Sequence, residues 1–75
     1  MNKERRKSIR NNISGLENIK SKLEDILSDE EYYFDNMPEN LQGSLRGEES
    51  ENAIDVLSEI IDELDEIVNS LLEIS

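Results

Sequence analysis

From Ala53 to Ile74 the apolar residues recur in alternating steps of four and three: Ala53, Leu57, Ile60, Leu64, Ile67, Leu71, Ile74. Only an α-helix brings such a spacing to one side of the chain. With heptad position d at 53, 60, 67 and 74, position a falls at 57, 64 and 71. Ile54, Ile61 and Val68 add a third apolar column at position e. The resulting stripe is wider than the a/d seam of a two-stranded coiled coil. Asp55, Glu59, Asp62, Glu63, Asp65 and Glu66 fill the remaining positions, and neither Gly nor Pro interrupts the run. The spacing predicts a helix over about 48–74.

Residues 9–35 follow the same rhythm less strictly. Ile9, Leu16 and Leu23 fit d, Ile13, Leu27 and Phe34 fit a, and Ile19, Ile26 and Tyr33 add the g column. Lys20 and Glu30 break the stripe, and Gly15 costs about 1 kcal/mol in a helix interior. A helix is expected over about 8–36, with Asn11, Asn12, Ser14 and Gly15 making its first turns the weakest.

Pro38 disfavours helical geometry at Met37, so the first helix must stop there. A turn over about 37–47 follows. Gly43 suits the left-handed position that ends a helical turn. Ser44 and Ser50 both suit an N-cap, and Glu48, Glu49 and Glu51 suit the positive end of the helix dipole. This connection is longer than the usual ~2–8 residues of a bundle turn. The side chains of Asp35, Asn36, Glu39, Asn40 and Gln42 are expected to hydrogen-bond its own backbone. The fold class is therefore all-α: residues 1–75 form a single antiparallel helical hairpin.

A hairpin alone leaves apolar surface over. A chain of 75 residues is short of the length at which one core is self-sufficient, and disulfides, metals or partner chains usually make up the difference. The chain has no Cys and no His, which removes disulfides and zinc. An antiparallel pair covers mainly a and d, so Ile19, Ile26, Tyr33, Ile54, Ile61 and Val68 are expected to stay wet. A homodimer of hairpins forming a four-helix bundle would cover them. Its core draws on Leu23, Leu27, Phe34, Ile54, Leu57, Ile60, Ile61, Leu64, Ile67, Val68 and Leu71.

The net charge of −11 is unevenly placed. Lys3, Arg5, Arg6, Lys7 and Arg10 outweigh Glu4 in the first ten residues, whereas Glu48–Ser75 holds ten acids and no Lys or Arg. The acidic face of Glu51, Asp55, Glu59, Asp62, Glu63 and Glu66 is either a solvated surface or an interface for a basic partner protein. Antiparallel pairing would lay the basic N-terminus beside the acidic end of helix 2, so direct nucleic-acid binding is not expected. The turn end, with Tyr32, Asn36, Met37, Leu41 and Gln42, is a second interaction surface, or else an apolar plug.

Catalytic chemistry finds no support. No His or Cys serves as base or nucleophile, and the glycines of "GSLRGEES" lack phosphate-loop spacing and its Lys. Glu48/Glu51 and Glu59/Asp62 have the spacing of magnesium-binding pairs but lie on one helix, where convergence is lost. No enzyme activity, cofactor, metal or small-molecule ligand is expected. No apolar run reaches the ~18 residues of a membrane span, and "MNKERRKSIRNN" leads into no apolar segment of a signal peptide. A cytoplasmic setting is the expectation.

Phe34, Asp35, Asn36, Pro38, Glu39, Leu41, Gln42 and Ser44, followed by Arg46, Gly47, Glu48 and an acidic heptad helix, form a recognisable phrase. Over roughly residues 30–74 the chain resembles short acidic helical-hairpin proteins of Gram-positive bacteria and their phages. The resemblance implies the hairpin fold and a mobile-element setting, and no particular activity. The expected function is a non-enzymatic interaction module, a phage-type inhibitor or adaptor docking its acidic surface on a basic, nucleic-acid-binding protein. The alternative is a purely structural assembly protein.

Overall fold

The computed structural model describes all residues, Met1–Ser75. Two long helices, α1 (Lys3–Asp35) and α3 (Leu45–Ile74), pack against each other, with a single helical turn, α2 (Glu39–Gln42), in the bend. The architecture is the all-helical hairpin read from the sequence.

α1 starts at Lys3 rather than near Ser8. The Asn2 side chain accepts a hydrogen bond from the Arg5 backbone N–H at 2.9 Å, capping the first turn, and Glu4 sits at the positive end of the dipole. The good helix formers Lys3 to Lys7 then carry the helix through the weak Asn-Asn pair.

At the other end, Asn36 donates from Nδ2 to the Tyr32 carbonyl at 2.7 Å. Gln42 Nε2 donates to the carbonyls of Phe34 and Met37, each at 3.2 Å. These two amides do the backbone bonding expected of the turn; Asp35, Glu39 and Asn40 make no such bond. Pro38 stands just before α2, and its carbonyl accepts from Leu41 and Gln42.

Gly43 does not take the left-handed conformation, since its φ is −85° and ψ 0°. A single turn closed by the Ser44 N–H on the Leu41 carbonyl re-enters the next helix without a positive φ. Ser44 is the N-cap of α3, its hydroxyl accepting from the Gly47 N–H at 3.5 Å. Ser50 lies inside the helix, only 3% exposed, with its hydroxyl unpartnered. α3 thus begins at Leu45, ahead of the expected 48.

The seam between the arms corrects the heptad assignment of α3. Gly47, Ile61 and Val68 are buried, and Ile54, Leu57, Leu64 and Leu71 are half-buried. The columns facing α1 are therefore a and e, whereas Ile60, Ile67 and Ile74 of column d are exposed. Ile54, Ile61 and Val68, expected to stay wet, form the intrachain seam instead. On α1 the assignment holds: Ile13 is buried and Leu16, Leu23, Leu27 and Phe34 are half-buried, while Ile19, Ile26 and Tyr33 are exposed.

This seam does not amount to a core. Only 6 of 75 residues are buried, and no side chain is fully enclosed. The molecule measures 58 × 15 × 13 Å, with a radius of gyration of 17.1 Å. A compact domain of this length would have about 11 Å.

Gly15 lies on the exposed side of α1, and a Cβ added there would meet nothing within 4 Å. Gly15→Ala is expected to raise stability by about 1 kcal/mol, read as a higher urea midpoint.

Candidate interaction surfaces

Two contacts fix the register of the arms. Arg10 Nη1 donates to the Ser75 carbonyl at 3.2 Å, and Lys20 pairs with Asp65. Arg10 is thus level with the end of α3, and the basic turns before it project past that end. α3 has no basic residue in its own last turn, so Arg10 supplies the cation that its dipole favours. The same register sets Ile19 level with Ile67, Ile26 with Ile60, and Tyr33 with Ala53.

Lys20 occupies a seam position, and the Asp65 hydrogen bond raises its pKa above the ordinary lysine value. A raised pKa contributes stability that is complete below the unfolded value, ~10.4, and is lost as pH rises through the folded value. The gap in urea midpoint between the native sequence and Asp65→Asn is therefore expected to hold up to about pH 10 and to close above it. A gap independent of pH would mean that the Lys20–Asp65 pair does not stabilise the fold.

The two flanks of the hairpin differ in character. On one, Glu31 and Asp35 of α1 face Glu51 and Asp55 of α3 across a groove floored by Phe34 and Ile54. Glu31 and Glu51 each stand one column past the seam on this side. The columns on the opposite side of each seam are Ile19, Ile26, Tyr33 and Ala53, Ile60, Ile67, Ile74. In an antiparallel pair they share one flank, which is therefore apolar along most of its length. Ile19 is 50% exposed, Ile26 52%, Ile60 38% and Ile67 48%. Val56 and Ile74 continue this surface. Lys22 edges it on α1 and Glu63 on α3, both exposed. Lys20–Asp65 is the only ion pair within the chain, so neither is paired.

The six acids expected to form one partner-binding face are all exposed, but they do not form a single patch. The i, i+4 ladder of Glu51, Asp55, Glu59 and Glu63 winds around α3. Glu51 and Asp55 join the acidic groove, whereas Glu63 and Glu66 border Ile67. Glu59 and Asp62 lie between. No group of acids is arranged to hold a metal ion.

The turn end gathers Tyr32, Tyr33, Asn36, Met37, Pro38, Leu41 and Arg46 around a shallow notch. Tyr32 is 73% exposed, as its position outside the stripe requires, while Met37 is buried. Arg46, absent from the expected turn-end set, joins the notch because α3 begins before it. Of the expected self-association core, Ile60 and Ile67 lie on the apolar flank, and the remaining residues line the intrachain seam.

No family model matches the chain, and no curated protein or solved structure is significantly similar to it. No helix is long and apolar enough to cross a membrane.

Proposed function

We propose that this chain is a non-enzymatic interaction module in which two hairpins pair through the flank of Ile19, Ile26, Ile60 and Ile67 to make a four-helix bundle. The observation that carries this reading is a hairpin with an open apolar flank and no enclosed side chain. Covering the exposed half of each flank residue contributes roughly 1 kcal/mol. Six such residues per copy give on the order of 10 kcal/mol before the costs of association. A flank of this continuity is more than an isolated soluble chain ordinarily exposes.

Pairing on that flank leaves the acidic groove outward and covers Tyr33 at one edge of the turn-end notch, whose Tyr32 stays exposed. The assembled bundle presents these to a basic partner protein, in the manner of a phage or mobile-element inhibitor or adaptor. Long-range attraction would speed such an encounter and make it salt-sensitive.

The test of self-association is the concentration dependence of unfolding. A dimer gains stability by mass action, so the thermal midpoint is expected to rise between about 1 and 100 μM chain, a range spanning micromolar affinity. A midpoint constant over that range contradicts the proposal. For the acidic surface, replacing Glu51, Asp55, Glu59 and Glu63 by Gln is expected to abolish salt-sensitive capture of a basic partner. It should also raise helix stability by ~0.2–0.5 kcal/mol for each like-charged i, i+4 pair relieved. Undiminished capture in a pulldown would restrict the acids to solvation.

A further inference from the structure

We infer that the second copy docks with its long axis parallel to the first, turn beside turn, related by a two-fold axis running along the rod. This inference rests on the self-association reading above and adds the orientation. Two closed arrangements bring one apolar flank onto another. In the first the two-fold runs along the rod, and α1 of each copy faces α3 of its partner. In the second the two-fold runs across the rod, so α1 faces α1 and α3 faces α3, with the turns at opposite ends.

The edges of the flank separate the two arrangements. Lys22 and Glu63 stand level with each other, one on each outer edge, and neither is paired within the chain. With the axis along the rod, Lys22 of each copy meets Glu63 of the other, giving two opposite-charge contacts. With the axis across the rod and the α3 column Ala53, Ile60, Ile67, Ile74 fully overlapped, Lys22 meets Lys22 and Glu63 meets Glu63. Sliding the copies until Ile26 meets Ile26 relieves that clash and sets Lys22 beside Asp29, but it uncovers Ile74 of both copies.

Helix charge points the same way. α3 carries ten acids against Arg46, whereas the seven basic residues of α1 nearly balance its eight acids. The arrangement along the rod keeps the two α3 helices diagonal to each other, and the other sets them side by side. Layer packing agrees as well. The level pairs Ile19/Ile67 and Ile26/Ile60 become four-isoleucine layers. The third layer alternates Tyr33 with Ala53, a large residue across from a small one, which fills space without strain.

The resulting rod has distinct poles. Both turn-end notches lie at one pole. Both basic N-terminal segments lie at the other, each between two α3 C-termini whose dipoles favour positive charge.

The chain has no native cysteine, so Asn11→Cys takes a single nitroxide label on the outer side of α1. Helix rise and interaxial spacing place the two labels of a dimer at about 30 Å for the arrangement along the rod and about 40 Å for the other. A pulsed dipolar distance near 30 Å is expected. A distance near 40 Å, from a sample that sediments as a dimer, overturns the orientation and leaves self-association standing. Absence of dipolar coupling from a sample that sediments as a monomer overturns the self-association reading itself. Charge reversal gives an independent check. Lys22→Glu is expected to weaken the dimer roughly fivefold, and adding Glu63→Lys is expected to restore it. A double variant no tighter than Lys22→Glu contradicts the proposed pairing.

Discussion

The Gly47→Ala variant is expected to lose about 3 kcal/mol of stability, the upper range for forcing a methyl into a filled site. A Cβ at Gly47 would lie 2.0 Å from the Gln42 carbonyl oxygen and 2.4 Å from its carbon. Both are backbone atoms of α2, so no rotamer change gives relief. The short helical turn would have to lift away from α3, breaking the Gln42 bonds to Phe34 and Met37. For a chain of this size ~3–5 kcal/mol is the whole net stability one core supplies, so the variant should be largely unfolded at low concentration. Gly43→Ala is the control. Nothing lies within 4 Å of a Cβ there, and its φ of −85° suits any residue. Equal urea midpoints for the two variants would contradict this close approach.

Ile26→Glu is expected to abolish association while leaving the hairpin helical. Ile26 is 52% exposed on the apolar flank, and glutamate is at least as good a helix former as isoleucine. In the paired bundle, however, the substitution puts one carboxylate per copy into an apolar layer. Losing the burial of two isoleucines there costs about 2 kcal/mol and the unpaired carboxylates add at least about 1 more, together about a hundredfold in dissociation constant. Tyr32→Glu, at a position 73% exposed and off the flank, should associate normally. Light scattering after size exclusion distinguishes the two. Dimeric Ile26→Glu would move the interface elsewhere.

The helices and their reversal were legible in the sequence because heptad spacing and Pro38 act locally. The choice of seam in α3 was not. Three apolar columns run side by side, and periodicity does not say which two face the other arm. The turn makes that choice. α2 packs its backbone onto α3 at Gly47, where a Cβ would meet Gln42, and Ser50, three residues on, is buried as well. Gly47 and Ser50 share columns with Ile54, Ile61 and Val68 and with Leu57, Leu64 and Leu71, so those columns turn inward. The signal was present in "GEES", but its Gly47 fell outside a helix expected to begin at 48. The extra column of α1 was read correctly because Ile13, Leu16, Leu23 and Leu27 leave one consistent seam.

Gly43 shows a different limit. A glycine after a helical turn suggests a left-handed residue, yet a turn that passes directly into another helix has no need of one. The acidic ladder was legible as spacing but not as a surface. Steps of four drift around a helix of 3.6 residues per turn. Acids adjacent along the chain therefore end on different sides of the rod.

Sedimentation equilibrium reads self-association through the apolar flank without any substitution or label. The chain mass is 8.7 kDa. At tens of micromolar and moderate salt, a weight-average mass twice that value is expected, falling toward it on dilution. A mass of 8.7 kDa at every concentration would contradict self-association.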